Sequence, residues 1–331
     1  MKLSFFYLSK ILGLFWLSRL LFKSKLRILC YHGFSIRDEE KFVPGLFIKP
    51  HLFDRRMQYL AEQNYNIITL QEAYELKEKR QFPSDAIVIT IDDGFYSVVS
   101  KSLPILEKYK FPATLYLTSY YFDKDCPIFN LAVDYMFFKT DLKNQSLEKL
   151  VIDGCINQND PEAAQKIKTF GRTLNSEMDR IRILRLLGEL LEVDYDELNQ
   201  SRILNLINTS ELNELIAGNV DIQLHTHRHS LPEESDLADH EIEKNANKIN
   251  QLLAKPMSHF CYPSGVWSKE HWPVLMKHNI KTATTCEPRL VDYDTHNYSL
   301  DRILDSARVS QIEFEAEISG FNELIRIFRG K

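Results

Sequence analysis

Glycine and proline are scarce in this chain, 11 and 12 among 331 residues, which excludes a collagenous or low-complexity protein. No internal repeat is visible. The five cysteines, Cys30, Cys126, Cys155, Cys261 and Cys286, are widely spaced and form no Cys-x-x-Cys pair. That pattern fits neither a zinc knuckle nor a disulfide scaffold, and reduced core thiols are expected. Positive charge is not in excess: 41 Lys and Arg against 46 Asp and Glu leave a net charge of -5. Such a balance offers nucleic acid no electrostatic footprint. Long apolar runs are missing too. Residues 3–22, LSFFYLSKILGLFWLSRLLF, are rich in leucine and aromatics, but Lys10 and Arg19 leave only the stretch from Ile11 to Ser18 uninterrupted. A spanning helix needs roughly 20 apolar residues. No small-x-small cleavage site follows, so a cleaved signal peptide is a poor match. With Lys23, Lys25 and Arg27 flanking it, the segment 1–25 instead suits a helix lying in a membrane interface, its basic heads reaching toward lipid phosphates. Were it to span, the positive charge on its C-terminal side would keep the rest of the chain cytoplasmic. The expected placement is therefore peripheral on a membrane, the cytoplasmic face favoured.

What is present is an alternation of strand-like and helical runs. Strand signals occur at 26–32, 65–70, 85–92, 111–118, 219–227, 258–265, 280–285 and 299–304. Helical spacing separates them at 51–63, 71–80, 97–110, 236–254 and 269–278, and a last helix is expected over 310–328. The run DAIVITID at 85–92 is nearly continuous in apolar residues, as strands buried on both faces are. Seven or eight such signals with helices between them imply an α/β fold with a mostly parallel sheet. No glycine-rich dinucleotide fingerprint follows the first strand, since CYHGFSIRDEE has one glycine. A distorted (β/α) barrel of about seven strands is thus expected, with its functional residues at the strand C-terminal ends. The rhythm stops between about 121 and 210, where the text is helical and polar. The leucine stripe of EMDRIRILRLLGELLEV at 177–193 reads as packing rather than as a cofactor box. The organisation expected is a membrane-interacting helix over 1–25 and a barrel over 26–330 carrying a helical insertion at about 121–210.

The strand at 85–92 runs into two adjacent acids, Asp92 and Asp93, followed by Gly94 and Phe95. Asp-Gly is ordinary turn chemistry, so the acids alone decide nothing. A second strand ends in LHTHRH, where His225 and His229 lie four residues apart with His227 between them. That spacing can turn two imidazoles toward one cation. A barrel would aim both clusters at the same mouth. A divalent ion there would hold one carboxylate ionised as a ligand and leave the other free to take a proton. Two histidines and one carboxylate also leave positions open for water and substrate.

These residues resemble the motifs of the polysaccharide deacetylase family, the NodB-homology group of carbohydrate esterases. TIDDG at 90–94 is similar to its T-F-D-D-G motif, with Ile91 in place of Phe, and HTHRH at 225–229 to H-[ST]-x-x-H. FCYPSG at 260–265 is similar to F-x-Y-P-x-G. The resemblance implies a metal-dependent hydrolase that removes N-acetyl groups from amino sugars of a polysaccharide or lipid-linked glycan. Asp92 would be the general base acting on metal-activated water, with Asp93, His225 and His229 as metal ligands. The ion would be zinc or another divalent transition metal. The backbone N–H of Tyr262, beside Pro263, would bind the oxyanion. Many members carry a late Leu-x-x-His acid, but no histidine follows His296 here. Exopolysaccharide-type members have a Tyr-His pair on the first strand instead, and Tyr31-His32 stands in that place, which makes His32 the expected acid. Arg302 resembles a late arginine of those members and is expected to line the substrate site. The third motif lacks the family's arginine, with His259 and Phe260 nearby, so the partner that orients Asp92 stays open. An inactive glycan-binding barrel and an O-acetyl esterase using the same residues are the alternatives.

Overall fold

A computed structural model describes residues 2–140, 161–253 and 255–330 of the chain. Cys155 and part of the region expected to be an insertion lie outside them. Ten strands are found among the described residues: β1 (Arg27–Tyr31), β2 (Gly33–Phe34), β3 (Phe47–Ile48), β4 (Asn66–Ile67), β5 (Ala86–Asp93), β6 (Ala113–Leu117), β7 (Val220–Leu224), β8 (His259–Cys261), β9 (Thr282–Thr284) and β10 (Ile303–Leu304). Eight form one parallel sheet in the order β10-β1-β5-β6-β7-β8-β9, with β4 paired to the start of β5. β2 and β3 pair separately. Residues leading into β10 reach the far edge of this curled sheet: Leu300 N–H donates to Ala283 O at 2.9 Å, and Thr285 N–H to Leu300 O at 2.9 Å. The expected distorted (β/α) barrel of about seven strands is what forms.

Its central strand explains the geometry. All eight residues of β5 are buried, because β1 and β6 flank it and helices cover what the barrel interior does not. β-Branched Ile87, Val88, Ile89, Thr90 and Ile91 suit such a two-sided position. Side chains alternate between the two faces. Val88 belongs to an interior cluster with Ile28, Tyr116, Cys261 and Leu300, and Asp92, four residues on, shares its face.

Two helices differ from the sequence reading. The N-terminal segment is not one helix but two, Lys2–Ile11 and Leu14–Leu21, bent by 77° at Gly13, whose φ is 77°. The helix expected over 310–328 is also broken into Gln311–Ile318 and Phe321–Phe328. Gly320 takes φ 81° there, and a Cβ on it would stand 2.7 Å from the Phe22 ring, so the chain turns where only glycine fits.

The chain divides into two compact units, one formed by Met1–Phe122 with Thr209–Lys331, the other by Asp123–Asn208. The second is helical, with helices Phe129–Lys139, Ala163–Thr173, Glu177–Leu191 and Tyr195–Ser201. Leu184, Leu187 and Leu191 of the leucine stripe are buried in it. Gly171 lets one helix approach another closely, since a Cβ there would meet Phe129 at 2.1 Å.

Candidate active site

β5 delivers two carboxylates to the C-terminal end of the sheet. The chain leaves the strand at Asp93, whose φ of 71° is unusual for a non-glycine residue, and at Gly94, whose φ is 96°. Backbone strain of this type persists only where surroundings hold it. Here Thr118, just past the end of β6, donates both its N–H and its hydroxyl to Asp93 O at 3.2 Å.

The histidines arrive from the loop after β7. They are not on a helix: Thr226 and His229 take φ of 62° and 54°, so the chain folds back and brings the two rings to 4.9 Å between centroids. Thr226 Oγ1 accepts from Ser230 N–H at 3.1 Å, and Glu241 accepts from the Arg228 N–H and guanidinium at 2.7 and 2.9 Å. Asn245 accepts from His225 N–H and donates to Leu117 O, joining this loop to the end of β6.

His225 Nε2 and His229 Nε2 lie 3.5 and 3.3 Å from Asp93 Oδ1. Donor atoms of all three residues fall within 4.8 Å of one another. His225 Nδ1 is 2.9 Å from Cys261 O. A carbonyl only accepts, so Nδ1 carries the proton and Nε2 presents its lone pair. That buried Nε2 has no hydrogen-bond partner. An orphaned lone pair, a second imidazole and a carboxylate converging on one point are a fitting donor set for a divalent transition metal. Burial would raise the Asp93 carboxyl, but the imidazoles of His229, His225 and His32 around it outweigh that effect and hold the pKa at about 2.

Beside this cluster lies Asp92, 2% exposed. Arg302, expected to line the substrate site, is instead fully buried and grips Asp92 with both arms, Nη1 to Oδ1 at 2.7 Å and Nη2 to Oδ2 at 2.8 Å. Its Nε donates to Thr285 O at 2.8 Å, which fixes the guanidinium plane. A side chain so enclosed has no surface left for a sugar. It supplies the orienting arginine that the third motif lacks. Burial opposes ionisation of Asp92, yet the Arg302 charge and hydrogen bonds prevail and keep the carboxyl well below the usual range. Cys261 and Cys30 also approach Asp92 Oδ2, at 3.4 and 3.7 Å.

His32, just beyond β1, stands across from that carboxylate with Nε2 at 3.7 Å from Oδ2, and its side chain is 19% exposed. Tyr262 and Pro263 are buried next to β8. The Tyr262 N–H, expected to serve an oxyanion, donates to Thr284 O at 3.2 Å, so it is not a free donor here. Six of the eight residues singled out in the sequence thus meet at one mouth, namely His32, Asp92, Asp93, His225, His229 and Arg302. Sequence reasoning missed Asn245, Glu241, Cys30 and Cys261, which carry no spacing signal because their roles come from helix and strand neighbours far along the chain.

Comparisons with known proteins bear on the family and the fold. A model of the polysaccharide deacetylase family matches residues 79–174 and 194–283. The poly-beta-1,6-N-acetyl-D-glucosamine N-deacetylase of Staphylococcus epidermidis is 22% identical over 293 residues, covering 87% of this chain and 78% of that protein. A protein of the same name from Staphylococcus aureus is 30% identical over 74 residues, 22% of this chain and 26% of its own length. Among solved structures, the Streptococcus pyogenes deacetylase PplD in complex with acetate has a TM-score of 0.60 at 17% identity, over 89% of this chain and 98% of that one. IcaB from Ammonifex degensii has a TM-score of 0.55 at 16% identity, over 89% and 97%. At these identities the structural likeness is one of fold. With the family match extending over more than half its length and the family's acids and histidines at one mouth, the chain belongs to the polysaccharide deacetylase family of hydrolases.

Proposed function

We propose that the chain is a metal-dependent N-deacetylase acting on a polymer of N-acetylated amino sugars, poly-β-1,6-N-acetylglucosamine being the first substrate to test. The observation that carries this reading is the convergence of Asp93, His225 and His229 within 4.8 Å, beside an Asp92–His32 pair 3.7 Å apart. The named relatives from two staphylococci support the choice of glycan. Asp93, His225 and His229 would hold the cation. Bound there, a divalent transition metal supplies Lewis-acid polarisation of the acetamide carbonyl and a lowered pKa for water.

The chain's own residues do the rest. Asp92, ionised and locked in orientation by Arg302, takes a proton from the attacking water. Water oxygen adds to the acetamide carbon, and the tetrahedral species then expels nitrogen. His32, on the other side of the Asp92 carboxylate, delivers a proton to that nitrogen as the C–N bond breaks. Acetate and a free amine leave.

The test pairs metal analysis of protein purified without added metal with acetate release from N-acetylglucosamine oligomers. Asp93→Ala and His225→Ala are expected to lose the metal, whereas Asp92→Asn keeps it and loses turnover by about a hundredfold or more. Full activity in Asp92→Asn, or acetate released from O-acetylated but not N-acetylated sugars, would overturn the reading.

A further inference from the structure

The two N-terminal helices face the wrong way for a protein surface bathed in water. Toward the barrel unit they turn Phe6, Ser9, Phe15 and Ser18, all buried. Phe6 and Phe15 pack on Ile312, Ala316 and Phe321, while two serines occupy contact positions where leucines would be usual. Leucines and aromatics lie on the other side. Ten large apolar side chains between Leu3 and Leu21 are exposed, among them Ile11 at 80%, Trp16 at 68% and Leu12 at 66%. The helix Phe321–Phe328, which packs on this pair, adds Ile327 and Phe328, the latter 82% exposed. Exposed apolar side chains in such number on packed helices mark an interaction site.

Charge selects the occupant. The helix pair itself carries no acidic residue; Lys10, Arg19 and Lys25 are paired with Glu315, Asp85 and Asp292, and Arg27 is buried. Lys23 and Arg329 are exposed at the ends of the apolar face. Pairing with a second copy through this face would set like charges against each other. An anionic lipid surface is complementary to both the apolar face and its basic margin, and Tyr7 and Trp16 are residues that favour the headgroup level.

By length and composition the bent pair Leu3–Ile11 and Leu14–Leu21 could cross a membrane together, but both helices are tied to the barrel unit. No single helix among the described residues is long and apolar enough to span a membrane. Lys10 Nζ bonds Glu315 at 2.6 Å, and Arg19 bonds Asp85 Oδ2 at 3.0 Å and Gln63 O at 2.8 Å, tying each helix to the barrel unit. Lys23 O accepts from Asp85 N–H at 2.7 Å, immediately before β5. Asp92 and Asp93 end the same strand, about 25 Å away at ~3.3 Å per residue.

We propose that residues 2–22, with Ile327 and Phe328, form a monotopic platform that docks on an anionic bilayer, its second helix meeting the barrel at the end opposite the catalytic mouth. This inference stands independently of the deacetylase reading. The test is co-sedimentation of the full chain with phosphatidylcholine vesicles, with or without phosphatidylglycerol, and with the Leu12→Glu/Trp16→Glu/Leu20→Glu variant. All three positions are exposed, and an unchanged thermal melt checks that the variant folds. The native chain is expected to pellet with the anionic vesicles, and the variant to bind them at least about tenfold more weakly. A second measurement needs no disruptive change: brominated lipid should quench native fluorescence and quench Trp16→Phe much less, Trp267 and Trp272 being the tryptophans that remain. Native protein that stays in the supernatant with both vesicles, lacks the Trp16 quenching, or forms a dimer that the triple variant abolishes would overturn the proposal.

Discussion

Asp92 and Arg302 depend on each other more than any other pair in the site. Both are buried, and two hydrogen bonds of 2.7 and 2.8 Å join them. Removing one partner leaves a buried charge without its counter-ion, a change that costs about 3–5 kcal/mol in buried pairs. Arg302→Met and Asp92→Asn should therefore each destabilise the fold. The double variant leaves neither charge unpaired, so its loss is expected to fall short of the sum of the single losses by about 1–3 kcal/mol. Urea unfolding of the four metal-loaded proteins measures this coupling, and strict additivity would show that the pair is not coupled. Arg302→Lys keeps the charge but gives up the two-armed grip. Its expected signature is normal metal content with a lowered kcat, because the carboxylate can then rotate away from the attacking water.

At the scale of an element, a neutral imidazole on β8 adds side-chain links to β9 and to the helix Leu70–Glu78. Nδ1 of His259 accepts from the Thr282 hydroxyl at 2.8 Å, on β9, and Nε2 donates to Gln71 Oε1 at 3.1 Å. Burial pushes the His259 pKa down to about 4 from its ordinary 6.5, with Lys281 and Lys255 adding to the effect against Asp221. Between those two values the unfolded chain binds the proton and the folded chain does not. Stability from this group is thus complete above pH 6.5 and is lost as pH falls through 4, by roughly 3 kcal/mol in all. In His259→Gln the melting temperature should vary less with pH over that window; an unchanged slope would remove His259 as a cause. Elements differ in how much of themselves the sequence reveals. β5, β6 and β7 are legible because each is a five- to eight-residue run buried along nearly its whole length, and burial on both faces demands apolar text. β2 and β3 have two residues each, too few for a period to show. Asp93, His225 and His229 are legible as types at strand ends, but the loop that joins the histidines is built from left-handed residues that no spacing rule reports. Arg302 was misread for a plainer reason: Asp92, the partner that defines it, lies 210 residues away.

For the whole molecule, the cluster of Asp93, His225 and His229 joins two strands that are not neighbours. β6 stands between β5 and β7 and is hydrogen-bonded to both in parallel register from Thr90↔Thr114 to Leu117↔Leu224. The sheet consequently needs no ion to set its order, and the loop of His225–His229 is already tied down through Asn245, Glu241 and Tyr120, so an ion adds one more tie, to Asp93. Chelation is therefore expected to leave the far-ultraviolet circular dichroism at room temperature unchanged while lowering the melting temperature. A ligand present at a thousand times its dissociation constant stabilises by about 4 kcal/mol, which in a chain of this size corresponds to a shift of several degrees. Asp93→Ala has one ligand fewer and should melt at the same temperature with or without chelator. Loss of secondary structure on chelation would mean that the ion organises the sheet itself. An equal response of native protein and Asp93→Ala would place the stabilising ion elsewhere than between β5 and the loop after β7.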